Sequence, residues 1–437
     1  MKQKRTDVEV FSCKARITTY CSHSCRGQVM NMKKSITAVL MLVALVFGAC
    51  SKTDAGNSGG NKFVVFQSKV EIVKELEQAA LTYKAETDVE VEVWGTTGDD
   101  YFTQFKTRLA NNTAPALFSL APGTEVQQIA PYLADLGNLP FVKDISDSLL
   151  AKLGNKIVGI PYTVEGFGIV YNKNLINPSQ VTDYDSFLAM LQEFRANGID
   201  GFGLSQESYF LIGHILNAPF AAMMDDMETY MERLAKGEVK MAETKEFQEF
   251  AKFMVAIRDN SYNPLEVNYD RQIGNFATGK TASIHQGNWC YNMFADYNIN
   301  FEMGLMPFPL LGNNKLAVSV PTCWVINNQA PDTEQQLAKD FLTWLYTSET
   351  GKRFVTEEFG FIPVVNGMTS DRLDPLSAEV SYYATEGNVI PWATSLYPPG
   401  IVDVYLVPVA QQFFTSNMTA EEFLIVLDRA WAQATGR

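Results

Sequence analysis

From residue 62 onward the chain switches between two hydrophobic rhythms. KFVVFQS (62–68) is a short apolar run, VEVEVW (89–94) alternates apolar and polar positions, and PALFSL (115–120) is a third apolar run, whereas 72–83 and 101–110 carry apolar residues at helical spacing. This order of strand, helix, strand, helix, strand predicts a parallel sheet covered by helices, because a parallel connection has to cross over the sheet face. In open sheets of this kind ligands lie beyond the carboxyl ends of the strands. That rule puts Ser68, Lys69, Thr96, Gly123, Thr124 and Glu125 on a candidate ligand rim.

Further along, KIVGIPYTVEGFGIVYNKNL (156–175) reads as two extended segments joined at PYTVEG. Helical spacing returns at 184–196, 223–234, 247–258 and 271–278, with FGLSQESY between the first two. ASIHQ (282–286), GLMPFP (304–309) and AVSVPTCWVIN (317–327) are extended, 338–346 and 349–357 are amphipathic helices, and helices near 402–414 and 421–433 close the chain. No repeat at solenoid or propeller period occurs.

The first sixty residues follow another pattern. MKKSITAVLMLVALVFGAC (32–50) has a basic start, an apolar run too short to span a bilayer and a small-residue end before a cysteine, which reads as a secretory signal. Gly48, Ala49 and Cys50 resemble a bacterial lipobox, so cleavage before Cys50 and its acylation are expected. Residues 1–31, with Cys13, Cys21, His23 and Cys25, stand where an export signal tolerates nothing, and the expected start is Met32 or Met30. A zinc site there lacks a second pair at ligand spacing. SKTDAGNSGGN (51–61) reads as a flexible tether. With the signal removed, Cys290 and Cys323 leave room for at most one disulfide.

Charge and motif content remove several function classes. The formal charge is -14, which disfavours a phosphate backbone as partner. No phosphate loop or dinucleotide fingerprint is present, since GTTGDD (95–100) lacks the lysine and the spacing. HExxH and GxSxG are absent as well.

What remains is a set of segments in a telling order: FATGKTASIHQGNW with Phe276, Gly279, Ala282, Gly287 and Trp289, then GLMPFPL, then AKDFLTWLYTSETGKRFVTEEFGFIPV, all preceded by GIPYTVEGFGIVYNKNL. From about Lys62 to the end the chain resembles the bacterial extracellular solute-binding proteins of carbohydrate ABC importers, the group of maltose-binding protein. The resemblance implies an α/β, two-lobed periplasmic-binding-protein fold of type II, with the ligand in a cleft between lobes joined by crossing strands. Crossings would fall near Thr163, Leu305 and Gly360, giving lobe 1 from 62–163 plus 306–358 and lobe 2 from 164–305 plus 359–437.

The same resemblance implies a role for individual residues. Trp289 matches the stacking tryptophan, delivered by a turn at Gly287 and Asn288; Glu165 matches a hydroxyl-binding glutamate; Glu207 and Tyr209 in QESYF match a glutamate and a stacking tyrosine. A sugar offers C–H faces to aromatic rings and hydroxyls to polar groups. By position, Trp392 in PWATSLYPP is assigned to the ligand, whereas Trp94, Trp324 and Tyr397 are assigned to packing, and Tyr382 with Tyr383 to structure. The usual Pro-Asp at the third strand is Pro115-Ala116 here, so one polar contact is missing. The implied protein is a lipid-anchored monomer without cofactor that hands sugar to a permease at the outer face of a bacterial membrane. Two other readings stand beside it: a glycoside hydrolase using Glu165 and Glu207, and a binder of polyamine or another small solute.

Overall fold

The computed structural model describes residues 60–95, 98–370, 373–398 and 400–437. Cys50, the signal segment, nearly all of the tether and Thr96 lie outside the described residues. Among the described residues no helix is long and apolar enough to cross a membrane.

Two sheets organise the chain. The first has the order β2 (Glu90–Gly95), β1 (Lys62–Gln67), β3 (Leu117–Leu120), β10 (Cys323–Ile326), β5 (Lys156–Pro161) and β4 (Ala151–Leu153). β1 runs parallel to β2 and to β3, as the alternating rhythms predict, but β10 is antiparallel to both of its neighbours, so the sheet is mixed. Successive side chains point to opposite faces of a strand. Phe63, Val65, Leu117 and Trp324 therefore pack on one face beneath the helices Val73–Thr87 and Asp332–Thr347, while Phe66, Phe118, Cys323 and Val325 pack with Phe105 on the other.

The second sheet has the order β11 (Val389–Ile390), β9 (Leu316–Ser319), β6 (Glu165–Asn172) and β7 (Ser283–Gly287), with β8 (Met303–Met306) also paired to β6. All eight residues of β6 are buried: β7 pairs with one edge, β9 then β8 with the other, and a packed core covers each face. Phe167, Ile169 and Tyr171 face a large core built with the helices Tyr184–Ala196, Lys245–Asn260 and Ala420–Ala434. Val170 faces Ile284, Leu305 and Leu316 under the helix Pro375–Thr385. Cys290 and Cys323 are buried in different cores as free thiols, so no disulfide links them.

The passages between the sheets differ in part from the sequence expectation. The first falls at 162–164, between β5 and β6. The second falls at 320–322, not near Leu305, because both β8 and β9 stay with the second sheet. The third segment first touches the second core at Ile362, returns to the first core through Val364, Val365 and Met368, and passes over finally beyond Met368. Hydrogen bonds tie these segments to one another. Tyr162 N donates to Thr322 O at 3.0 Å. Thr163 Oγ1 accepts from Ile362 N at 2.9 Å and lies 3.2 Å from Ile362 O.

One buried polar pair supports the second sheet. His285 on β7 bonds through Nδ1 to Gly168 O at 2.9 Å, and its Nε2 lies 3.3 Å from His214 Nδ1. Burial pushes His285 down to about 4 and His214 well below its ordinary value. An unfolded imidazole titrates near 6.5, so between these values the unfolded chain holds the extra proton and acid favours unfolding. The stability from the neutral ring is present above the unfolded value and lost as pH falls through the folded one. Asp200 and Glu125, each pushed up to about 7 by burial, act with the opposite sign, so a difference between two proteins is needed to isolate the imidazoles. Wild type should lose about 3 kcal/mol relative to His285→Gln as the pH falls from about 6.5 to about 4. Urea melts at stepped pH measure this, and a pH-independent gap contradicts it.

Candidate functional site

At the base of the region where the sheets meet, Lys69 follows the end of β1 and Glu165 begins β6. Their charged ends meet at 2.6 Å with both side chains buried. Burial alone would lower the Lys69 pKa, but the carboxylates of Glu165 and Glu71 outweigh it and the net direction is up. The ammonium is therefore kept charged across the junction of the two sheets. The crevice around this pair is also lined by Glu71, Thr163, Asn288, Trp289, Asn292 and Asp374. Its interior is only about 20 Å³, close to the room one water needs.

Trp289 reaches this crevice by an unexpected local geometry. Gly287 was expected to turn sharply, yet its φ of -128° and ψ of -173° are extended, and the 3-10 helix Asn288–Phe294 starts directly after it. The glycine is required by space: a Cβ there would lie 2.3 Å from Trp289 Cζ3 and 2.5 Å from Gly166 O. The indole thus folds back over its own strand end, and its Nε1 donates to Gln286 Oε1 at 2.7 Å. Asn288 fixes the start of the helix by accepting from Gly166 N at 3.0 Å and bonding Ser377 Oγ at 3.1 Å.

Beside the crevice, which Trp289 itself lines, half-buried rings gather around His214 as an aromatic cluster, called the trough below. Trp289 lies 6.3 Å from Trp392 in an edge-on arrangement and 6.1 Å from Phe210, whose ring is nearly parallel to it. His214 sits among Trp289, Trp392, Tyr209 and Phe210 at 5.4 to 5.8 Å and stacks on Phe167 at 4.4 Å. Tyr209 is 41% exposed, so the cluster reaches the surface at that ring. Trp289, Trp392 and Tyr209 are thereby brought around one ring.

Other sequence candidates are engaged elsewhere. Ser68 N and Oγ both bond Ser119 Oγ, which joins the ends of β1 and β3. Thr124 Oγ1 lies 3.4 Å from Ser395 O and from Tyr397 O, a second contact between the first sheet's loops and the C-terminal region. Glu125 Oε2 accepts from Ala121 N at 2.8 Å. Glu207 does not join Trp289: it lines a separate basin with Gln206, Leu265 and Gln411, and its Oε1 accepts from Tyr269 N at 2.9 Å. Trp324 stacks on Tyr162 at 3.7 Å and Tyr397 packs against Trp431, so both are core residues. Trp94 donates to Glu92 beneath the Arg108 guanidinium. Glu71, Asp374, Phe210 and His214 were not singled out as ligand residues by the sequence. For Asp374 the N-cap position before Pro375 is visible in the sequence, but its place at the crevice is not.

Because the ring of Trp289 occupies the space a side chain would take, Gly287→Ala should destabilise the protein by about 1–3 kcal/mol and shift its tryptophan emission. Thermal melts with fluorescence spectra check this; an unchanged spectrum with unchanged stability contradicts the packing described.

The description of bacterial extracellular solute-binding proteins as a family matches residues 78–385 of this chain. Among solved structures, RafE with raffinose superposes with a TM-score of 0.72 at 18% identity, over 86% of this chain and 100% of that one; a RafE structure is from Streptococcus pneumoniae. A sugar transporter of Bacillus licheniformis with stachyose gives 0.70 at 15% identity over 85% and 100%. The maltose/maltodextrin-binding domain MalE of Bdellovibrio bacteriovorus with maltotriose gives 0.67 at 13% identity over 85% and 99%. At these identities the likeness is one of fold, a two-lobed α/β architecture. The family match spans well over half of the chain, and the protein belongs to the bacterial extracellular solute-binding proteins.

Proposed function

We propose that the protein captures a sugar or oligosaccharide between its two lobes and presents it to an ABC permease, without breaking a bond. The observation that carries this reading is the adjacency of an aromatic trough, Trp289, Trp392 and Tyr209, to a polar crevice containing Lys69, Glu71, Glu165 and Asn288. Aromatic faces suit the C–H faces of a pyranose, and carboxylates and amides suit its hydroxyls. RafE, the Bacillus licheniformis transporter and MalE, each named with a bound sugar, support the same ligand class. Attachment to the outer face of a bacterial membrane through acylated Cys50 belongs to the proposal, resting on the apolar run and small residues before that cysteine.

Closure would follow from contact with both lobes, since a ligand shifts an equilibrium only by its difference in affinity for the two states. Lys69 and Glu165 come from different sheets and hold the junction closed without ligand. The hydrolase reading fares worse, because Glu165 and Glu207 line different cavities, whereas a hydrolytic pair must flank one bond.

Titration calorimetry of raffinose, stachyose, maltotriose and spermine, with product analysis on each sugar, tests the reading. One sugar should bind without turnover and lose about tenfold or more in affinity in Trp289→Ala; binding of spermine alone, or release of a hydrolysis product, overturns it. The bridging pair makes a separate prediction: Lys69→Met leaves a buried carboxylate unpaired, which costs about 3–5 kcal/mol, so the ligand-free variant should open. Small-angle scattering should give it a larger radius of gyration than wild type, and equal radii contradict the role of the pair.

A further inference from the structure

His214 sits at the floor of the trough with its hydrogen-bonding state already determined. A carbonyl oxygen only accepts, so the His285 Nδ1 that meets Gly168 O at 2.9 Å carries the proton. In a neutral imidazole the other nitrogen is then an acceptor, so His285 Nε2 takes its bond at 3.3 Å from a proton on His214 Nδ1. It follows that His214 Nε2 carries a lone pair. It points away from His285 and has no hydrogen-bond partner among the described residues. Burial keeps both rings neutral near neutral pH.

The backbone explains why the ring stands there. Tyr209–Gly213 is a π-helical turn in which His214 N donates to Tyr209 O at 2.9 Å. Such turns place residues five apart on one side, and here they bring the Tyr209 and His214 rings to 5.4 Å. His214 is 7% exposed, at the base of rings that are themselves half-buried or exposed.

We propose that His214 Nε2 accepts a hydrogen bond from a ligand hydroxyl lying in the trough, and that the relay from Gly168 through His285 fixes this nitrogen as an acceptor. His214 is then a specificity-determining residue: it favours a ligand that presents a hydroxyl at that point and disfavours one that presents a carbonyl or ether oxygen, because two acceptors face each other. His285 is a positioning residue that sets the tautomer. The assignment rests on the sugar-binding reading of the trough.

The test uses the full chain and the probes raffinose, stachyose and maltotriose. Calorimetry on wild type, His214→Phe and His214→Gln should show about a tenfold loss of affinity in the phenylalanine variant, which keeps the ring, and a smaller loss in the glutamine variant, whose amide oxygen can accept. Nitrogen-15 spectra of wild type, which do not depend on any variant folding, should show His214 protonated on Nδ1, with its Nε2 resonance moving when a bound sugar saturates. A sugar bound with wild-type affinity by His214→Phe, an Nε2–H tautomer, or an Nε2 signal unmoved at saturation overturns this inference and leaves the sugar-binding reading standing. Binding of none of the sugars removes both.

Discussion

The arrangement of the molecule turns on one buried ion pair. Lys69 follows the first strand of one sheet and Glu165 begins the central strand of the other, and each needs its partner because burial leaves both largely cut off from solvent. A buried pair contributes little to stability compared with apolar packing, but parting it is unfavourable unless both groups are rehydrated. Here the groups regain water only if the sheets separate. The pair therefore couples hydration of two side chains to the angle between two lobes.

Around this pair the polar and aromatic parts of the junction divide the work. The hydrogen bonds of Tyr162 with Thr322 and of Thr163 with Ile362 fasten the passing segments side by side. The rings of Trp289 and Trp392 pack against the second lobe's core. The C-terminal contact of Thr124 with Ser395 and Tyr397 is longer, at 3.4 Å.

Much of this was legible in the sequence because period is a local property. The runs at 62–68, 89–94 and 115–120 become β1, β2 and β3, and the double segment around PYTVEG becomes β5 and β6. Partnership is not local. GLMPFP and AVSV read correctly as extended, but nothing in their rhythm says that both pair with β6, which is why the second passage was expected too early. Trp289 was identified through neighbouring glycines, although Gly287 serves close approach and not a turn. Glu207 and Tyr209, two residues apart, were expected to act together; at the entry to the π-helical turn one faces Tyr269 N and the other faces His214. His214 itself gave no signal, since its meaning comes from His285, 71 residues away.

The position of β10 has a consequence for how the chain assembles. It lies between β3 and β5, yet it is encoded after almost the whole of the second sheet. Until Cys323–Ile326 arrives, β3 and β5 lack the strand that joins them, and Trp324 is missing from the stack on Tyr162. Both lobes thus wait for distant sequence, the first for residues 323–365 and the second for the helices that end at Ala434. Such distant closure makes folding slow and leaves strand edges open in the meantime. The nascent N-terminal half is, on its own, a sheet with a gap in its middle, and a chain cut before residue 323 has no way to close it.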